Sequence, residues 1–283
     1  MVSRGQPVFY YHSVADECLS VRPSVFRAQL SYLKHRGNHC IGVGEWIASQ
    51  ENGRKSENCV ALTFDDGFGS MWENVLPLLQ EFDFRATFFI VPGYVGKTIW
   101  GDPVTRTWSW KEEPQPGRIP FPMMTWEQIA RMREAGMEIG SHTLSHPNLT
   151  DLSEEEARKE IRDSKEVLEE KLGIPVQGFC YPRGCQNEVL AELVQECGYR
   201  YGCTTKPGYA TPDSNPFLLP RIPGPCSLSD VLFHVRGFPQ NVFTQFVLRV
   251  ARKSESLVPT MYVRALRTLT RNRERDRRKT GRV

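Results

Sequence analysis

Apolar and polar positions along the chain fall into short apolar runs, each followed by a stretch with helical spacing. Val8-Phe9-Tyr10-Tyr11 is an apolar run that ends at His12, and Phe26, Leu30 and Leu33 then recur at helical spacing up to Gly37. Val60–Phe64 reads as a buried strand that runs straight into Asp65-Asp66-Gly67. The spacing predicts a helix over about 70–81 and a strand over 86–91. Thr125-x-x-Gln128 and Ser153-x-x-Glu156 have the form of capping boxes, in which side chain and backbone satisfy each other's free donors at a helix start. The first helix carries Trp126, Ile129 and Met132. The second carries Ala157, Ile161, Ser164, Leu168 and Leu172 on one face, with Gly173 as its stop. Met137–Gly140 leads, strand-like, into Ser141-His142. Strands over 176–180, 200–204 and 217–222 and a helix over 188–197 complete the pattern. Strand, helix and strand in repetition imply right-handed βαβ units and a parallel sheet. Six or seven such repeats in about 220 residues favour a closed or nearly closed (β/α) barrel, with polar motifs at the C-terminal strand ends where such barrels keep their sites.

Two segments break the pattern. Residues 97–122 hold Trp100, Trp108 and Trp110 out of six tryptophans, five prolines and little periodicity, and read as an inserted loop. Either an ordered lid or substrate wall, or a surface insertion folded onto the barrel, accounts for them. Residues 239–283 carry two amphipathic helical patterns separated by Pro259, with basic residues on the polar faces. Such a tail suits an anionic membrane surface or a partner, and equally a helix packed on the barrel with a solvated charged end.

Charge follows that division. The formal net charge is +3, yet Met261–Val283 holds nine basic residues against two acidic ones, leaving residues 1–260 mildly acidic with 27 basic and 31 acidic. A mildly acidic body argues against a nucleic-acid-binding domain. Hydrophobic content of 40% excludes global disorder. No apolar run approaches the ~18 residues of a membrane span. Met1–Pro7 has no apolar core of a secretory signal, and the eight cysteines form no Cys-x-x-Cys pair. A cytoplasmic protein with reduced thiols is therefore expected.

Three constellations carry chemistry. In Thr63-Phe64-Asp65-Asp66-Gly67, two adjacent carboxylates at a strand mouth repel each other unless a cation or proton separates them; read alone, the triplet is also an ordinary turn. His142 and His146, four residues apart in Ser141-His142-Thr143-Leu144-Ser145-His146-Pro147, suit a divalent transition metal, though such a pair can equally be structural. With a carboxylate from another strand end they compose a His₂Asp site of the hydrolytic kind. In Tyr181-Pro182-Arg183-Gly184, an arginine at a strand mouth can hold down or orient a carboxylate, or be a surface residue after a turn. No Walker sequence or Gly-x-Ser-x-Gly is present, and Gly42-Val43-Gly44 lacks the context of a dinucleotide loop.

In this order and spacing the three segments resemble motifs one to three of the polysaccharide deacetylases, carbohydrate esterase family four or NodB-type domains, over roughly residues 7–237. Phe9-Tyr10-Tyr11-His12 and Leu219-Pro220-Arg221-Ile222 fit as well. The resemblance implies a distorted TIM-like (β/α) barrel over 1–238, with 97–122 inserted, and leaves 239–283 outside it as a basic helical tail. It also implies metal-dependent removal of acetyl groups from an N-acetylated glycan, Zn²⁺ being the expected ion. By the same resemblance Asp65 matches the general base and Asp66, His142 and His146 the metal ligands. Tyr181 is the candidate oxyanion donor, since Pro182 has no N–H. The family often has an arginine at the position of Cys180, and Arg183 is the candidate replacement. The later motifs are not recognisable, so the proton donor is open between His12 and His234. Two rivals remain: a non-sugar amidohydrolase on the same barrel, and an inactive glycan-binding domain.

Overall fold

The structure is a computed structural model that describes residues 5–16, 21–53, 58–102, 107–109 and 119–224. The basic tail, His234 and Trp110 lie outside the described residues. In chain order the elements are β1 (Val8–Tyr11), α1 (Pro23–His35), β2 (His39–Ile41), α2 (Val43–Glu51), β3 (Cys59–Phe64), α3 (Leu76–Glu81), β4 (Thr87–Ile90), β5 (Thr98–Asp102), β6 (Thr107–Ser109), β7 (Ile119–Pro122), α4 (Trp126–Glu134), β8 (Glu138–Ser141), α5 (Glu154–Leu172), β9 (Gly178–Cys180), α6 (Glu188–Glu196), β10 (Tyr201–Cys203) and β11 (Ile222–Pro223).

The expected α/β barrel is present. Eight strands, all paired in parallel, run in the order β10-β9-β8-β4-β3-β1-β11, with β2 beside the first half of β3. The sheet curls into a half-barrel whose ends are joined through Leu219, which pairs with Cys203 just before the chain enters β11. Apolar side chains fill the interior. Phe64 stacks on Phe88 with centroids 4.9 Å apart and on Tyr11 at 5.2 Å, so the strand that ends at the paired aspartates is clamped by aromatic rings on both sides.

At the N-terminal strand ends, Glu138 closes the barrel floor. Its carboxylate accepts from Thr87 Oγ1 at 2.6 Å, the Gly44 N–H at 2.9 Å and the Tyr201 hydroxyl at 2.8 Å, tying α2 to three strands. Neither β2 nor α2 is visible in the sequence pattern. A three-residue strand shows no period, and α2 buries only Val43 and Trp46.

Three expectations on local structure change. Residues 97–122 are not all loop, because β6, β5 and β7 form a three-stranded antiparallel sheet. Pro120 and Pro122 are two apart on the outer strand β7, so both missing N–H groups face away from the ladder. This sheet is fastened beside the paired aspartates: the Met124 N–H donates to Gly67 O at 3.0 Å, and Phe68 bridges to Met123. The helix over 70–81 opens with a π-turn, Met71–Val75, before α3. The slip lies just upstream of Pro77, which cannot supply an i→i−4 donor. Finally, 217–222 is mostly not strand. Pro216–Leu218 is a 3₁₀ turn whose Phe217 N–H is capped by Asn215, and only Ile222–Pro223 pairs with β1.

Both capping boxes form. Ser153 accepts from the Glu156 N–H while Glu156 accepts from the Ser153 N–H at 2.9 Å, and Gly173 ends α5 in a left-handed conformation with φ 64°. Ser153→Ala is expected to lower stability by about 1 kcal/mol in urea unfolding.

Candidate active site

Strands β1, β3 and β8 deliver polar groups at the C-terminal face of the half-barrel. Asp65 and Asp66 follow β3. The Asp65 N–H still donates to Tyr11 O at 2.8 Å, but Asp66 and Gly67 then adopt left-handed conformations with φ 77° and 88°. A non-glycine residue is costly there, so the turn must be held by what surrounds it. It sends the two carboxylates into different environments.

Asp65, 2% exposed, meets the fully buried guanidinium of Arg221. Arg221 Nη1 and Nη2 donate to Oδ1 and Oδ2 of Asp65 at 2.8 and 2.7 Å. The other three N–H groups are used as well, on Thr63 Oγ1 at 2.9 Å, Thr204 O at 2.8 Å and Cys180 Sγ at 3.0 Å. The cation also lies over the Tyr10 ring, 4.7 Å from its centroid. A buried charge is tolerated only when paired and fully hydrogen-bonded, and here all five donors are satisfied. Burial alone would raise the Asp65 pKa, but the charge and hydrogen bonds of Arg221 outweigh it and hold the carboxyl at about 2.

Asp66 has no such partner. Burial raises its pKa, opposed chiefly by the charge of His12. Its Oδ1, which has no hydrogen bond, lies 3.5 Å from His142 Nε2 and 3.3 Å from His146 Nε2. His142 follows β8, and its Nδ1 is 2.7 Å from Cys180 O. A carbonyl can only accept, so Nδ1 carries the proton and Nε2 turns its lone pair toward Asp66. Burial lowers both imidazoles to about 4, aided at His142 by His146 and at His146 by Arg183 and His12. At neutral pH both rings are uncharged. Two imidazole lone pairs and one carboxylate oxygen, all within 4.8 Å of one another, converge on one volume. That donor set fits a divalent cation, which would also reverse the raised pKa of Asp66. The neighbouring trio Asp65, His142 and Cys180 is equally compact but does not fit. Both Asp65 oxygens are engaged by Arg221, and burial pushes the Cys180 thiol far up.

His12, half-buried after β1, lies close enough for its charge to act on Asp65, Asp66 and His146. Two expectations are corrected. Arg183 does not hold Asp65: it is exposed, in a left-handed conformation with φ 57°, and acts electrostatically on His146. The arginine that does the work is Arg221, which reaches across from the far end of the sheet into the room left by the small side chain of Cys180. Its sequence signal is an arginine inside the apolar run Leu219–Ile222, which cannot be buried without an acid. Tyr181 is not free to bind an oxyanion either. Its hydroxyl donates to Phe217 O at 3.0 Å and its N–H to Cys203 O at 3.1 Å.

Residues 52–202, more than half of the chain, match the family described as polysaccharide deacetylase. The chain belongs to the polysaccharide deacetylase family. It is 28% identical over 218 residues to YxkH of Bacillus subtilis, a protein assigned by name to the same family, covering 76% of this chain and 70% of that protein. It is 25% identical over 224 residues to a poly-β-1,6-N-acetyl-D-glucosamine N-deacetylase of Staphylococcus aureus, covering 75% and 71%. Among solved structures, the Streptococcus pyogenes deacetylase PplD in complex with acetate superposes with a TM-score of 0.68 at 24% identity, over 83% of this chain and 99% of that one. The half-barrel is thus the fold of this deacetylase family.

The Asp65–Arg221 pair makes stability depend on pH. The Asp65 pKa falls from 3.8 to about 2 on folding, so its contribution is present above the unfolded value and disappears as pH drops through about 2. The size is about 2 kcal/mol. The two histidines act in the same sense between 6.5 and about 4, because folding keeps them neutral where the unfolded chain protonates them. Asp65→Asn is expected to flatten the acid limb below pH 4 in denaturant titrations. It should also cost about 3 kcal/mol at pH 7, since Arg221 is left buried without its counter-charge.

Proposed function

We propose that this protein hydrolyses the acetamide of N-acetylated hexosamine units in a glycan, with Asp66, His142 and His146 holding a zinc ion. The observation that carries this reading is the convergence of the two Nε2 lone pairs and the bare Asp66 oxygen beside an Asp65 kept ionised by Arg221. When bound, the ion supplies Lewis acidity to water and to the acetamide carbonyl.

The chain's own residues supply the rest. Asp65 is anionic at any physiological pH and is fixed bidentately, so it takes the proton of the attacking water in a set orientation. Its oxygens keep further lone pairs for that proton while Arg221 occupies the others. His12 lies on the neighbouring strand end and gives a proton to the departing amine. Since Tyr181 is committed and Pro182 has no N–H, the main-chain N–H of Arg183 is the donor assigned to the developing oxyanion. The S. aureus relative acts on poly-β-1,6-N-acetyl-D-glucosamine, and PplD binds acetate, the expected product. The substrate of the S. aureus relative supports an N-acetylated glucosamine polymer as the substrate class. An inactive binding role is disfavoured because base, ligands and proton donor stand together, and a non-sugar amide because the family model and the S. aureus relative point to a glycan.

Acetate release from β-1,6- and β-1,4-linked N-acetylglucosamine oligomers tests the reading. The wild type is expected to release acetate and to lose this activity with a chelator, recovering it with added Zn²⁺. His142→Ala should lose both metal and activity, and His12→Gln should keep metal while kcat falls by about 10²-fold or more. Activity that survives in His142→Ala would refute the proposal.

A further inference from the structure

The two histidine ligands are joined by Thr143-Leu144-Ser145, and this short turn is strained. Thr143 and His146 both lie in the left-handed region, with φ 65° and 60°, and neither is glycine. Such a conformation persists only where its surroundings over-determine it. Within the turn, the His146 N–H donates to Thr143 Oγ1 at 3.0 Å. The rest of the restraint comes from outside, and most of it from one residue of α5.

Glu160 grips the turn at its midpoint. The Ser145 N–H donates to Glu160 Oε2 at 2.9 Å and Ser145 Oγ donates to Oε1 at 2.7 Å, a two-point clamp on the residue directly before His146. The Leu144 N–H donates to the backbone carbonyl of the same glutamate at 3.2 Å. From the opposite side the Tyr94 hydroxyl donates to Ser145 O, and the Gly93 N–H donates to Leu144 O at 2.9 Å. Gly93 has no substitute there, since a Cβ would stand 2.5 Å from that carbonyl. One turn further along α5, Ser164 bonds Ser141 at 2.7 Å, just before His142. Helix α5 therefore holds the strand end at one ligand and the approach to the other.

We infer that Glu160 is a positioning residue for the metal site, its carboxylate setting the place of His146 Nε2 relative to Asp66 and His142 through Ser145. The inference rests on the reading that these three residues hold a divalent ion. Glu160 is not one of the three residues whose ligand atoms converge. Its effect is indirect: a ligand atom four bonds from an ordered Cα has to be placed within a few tenths of an ångström for the donor set to close.

The test is the dissociation constant of Zn²⁺ measured by chelator competition on metal-free protein, with thermal unfolding of the metal-free protein alongside. The wild type is expected to bind one ion per chain and His142→Ala to lose it. Glu160→Ala should weaken binding about 10–100-fold. Glu160→Gln retains one acceptor oxygen for two donors and should fall between. Ser145→Ala keeps only the backbone grip and should weaken binding less than Glu160→Ala, and adding it to Glu160→Ala should change little, because both remove the same contact. The Co²⁺-substituted protein should show an altered d–d spectrum in Glu160→Ala, a readout that loss of stability alone would not move. If Glu160→Ala binds Zn²⁺ within twofold of wild type, or shows the wild-type Co²⁺ spectrum, the positioning role is overturned while the metal site stands. A wild type that binds no ion overturns both.

Discussion

A buried arginine with every donor used is the constraint from which the site follows. Arg221 is fully enclosed, lies over Tyr10, and spends its five N–H groups on four residues from three other parts of the chain. Withdrawing a guanidinium from water is recovered only if an anion and several acceptors are already in place. The pair therefore requires β3, β9, β10 and β11 to be assembled in one register. It is also what keeps Asp65 an anion inside a dry barrel mouth. The same interaction that fastens the end of the sheet prepares the proposed base, which couples folding of the half-barrel to the chemistry proposed for it.

The two aspartates show how one residue type is divided into two roles by surroundings alone. Asp65 and Asp66 are adjacent, both almost wholly buried, and both burdened by desolvation. The backbone turns left-handed at Asp66, so one carboxylate meets a guanidinium and the other meets two neutral imidazoles. The first pKa goes down and the second goes up. A carboxylate held low stays ionised whatever else binds, whereas one whose charge is penalised by burial gains most when a cation arrives. Titratable neighbours whose environments drive them apart mark a functional pair.

Much of this was legible in the sequence, and what was not has identifiable causes. The strand–helix alternation, both capping boxes and the Gly173 stop follow from local rules that tertiary contacts did not override. Asp65, Asp66, His142 and His146 stand after apolar runs and match the family motifs in order and spacing, and the structure brings all four together. The strands within 97–122 leave no readable period because they are short and carry prolines, which a ladder tolerates only on an outer edge. Arg183 is the replacement that the sequence suggests beside Cys180, and Arg221 carries no local sign of that role. Nearness along the chain was the wrong measure for a curled sheet, in which β11 comes to lie beside β1 and the end of β10.

That error points to what a motif records. The position at Cys180 lacks the arginine often found in the family, yet the guanidinium is present in space, delivered from the far end of the sheet and contacting the cysteine sulfur at 3.0 Å. A small side chain at one strand end and a long cation at another together fill one volume, and neither works without the other: an arginine at 180 would meet Arg221, and a small residue at 221 would leave Asp65 unpaired. The requirement the site imposes is therefore a cation at the base, with the donor strand free to vary. The proposed metal ligands have no such freedom, because two of them share one strained turn and the third sits in another, so their spacing along the chain is fixed by geometry.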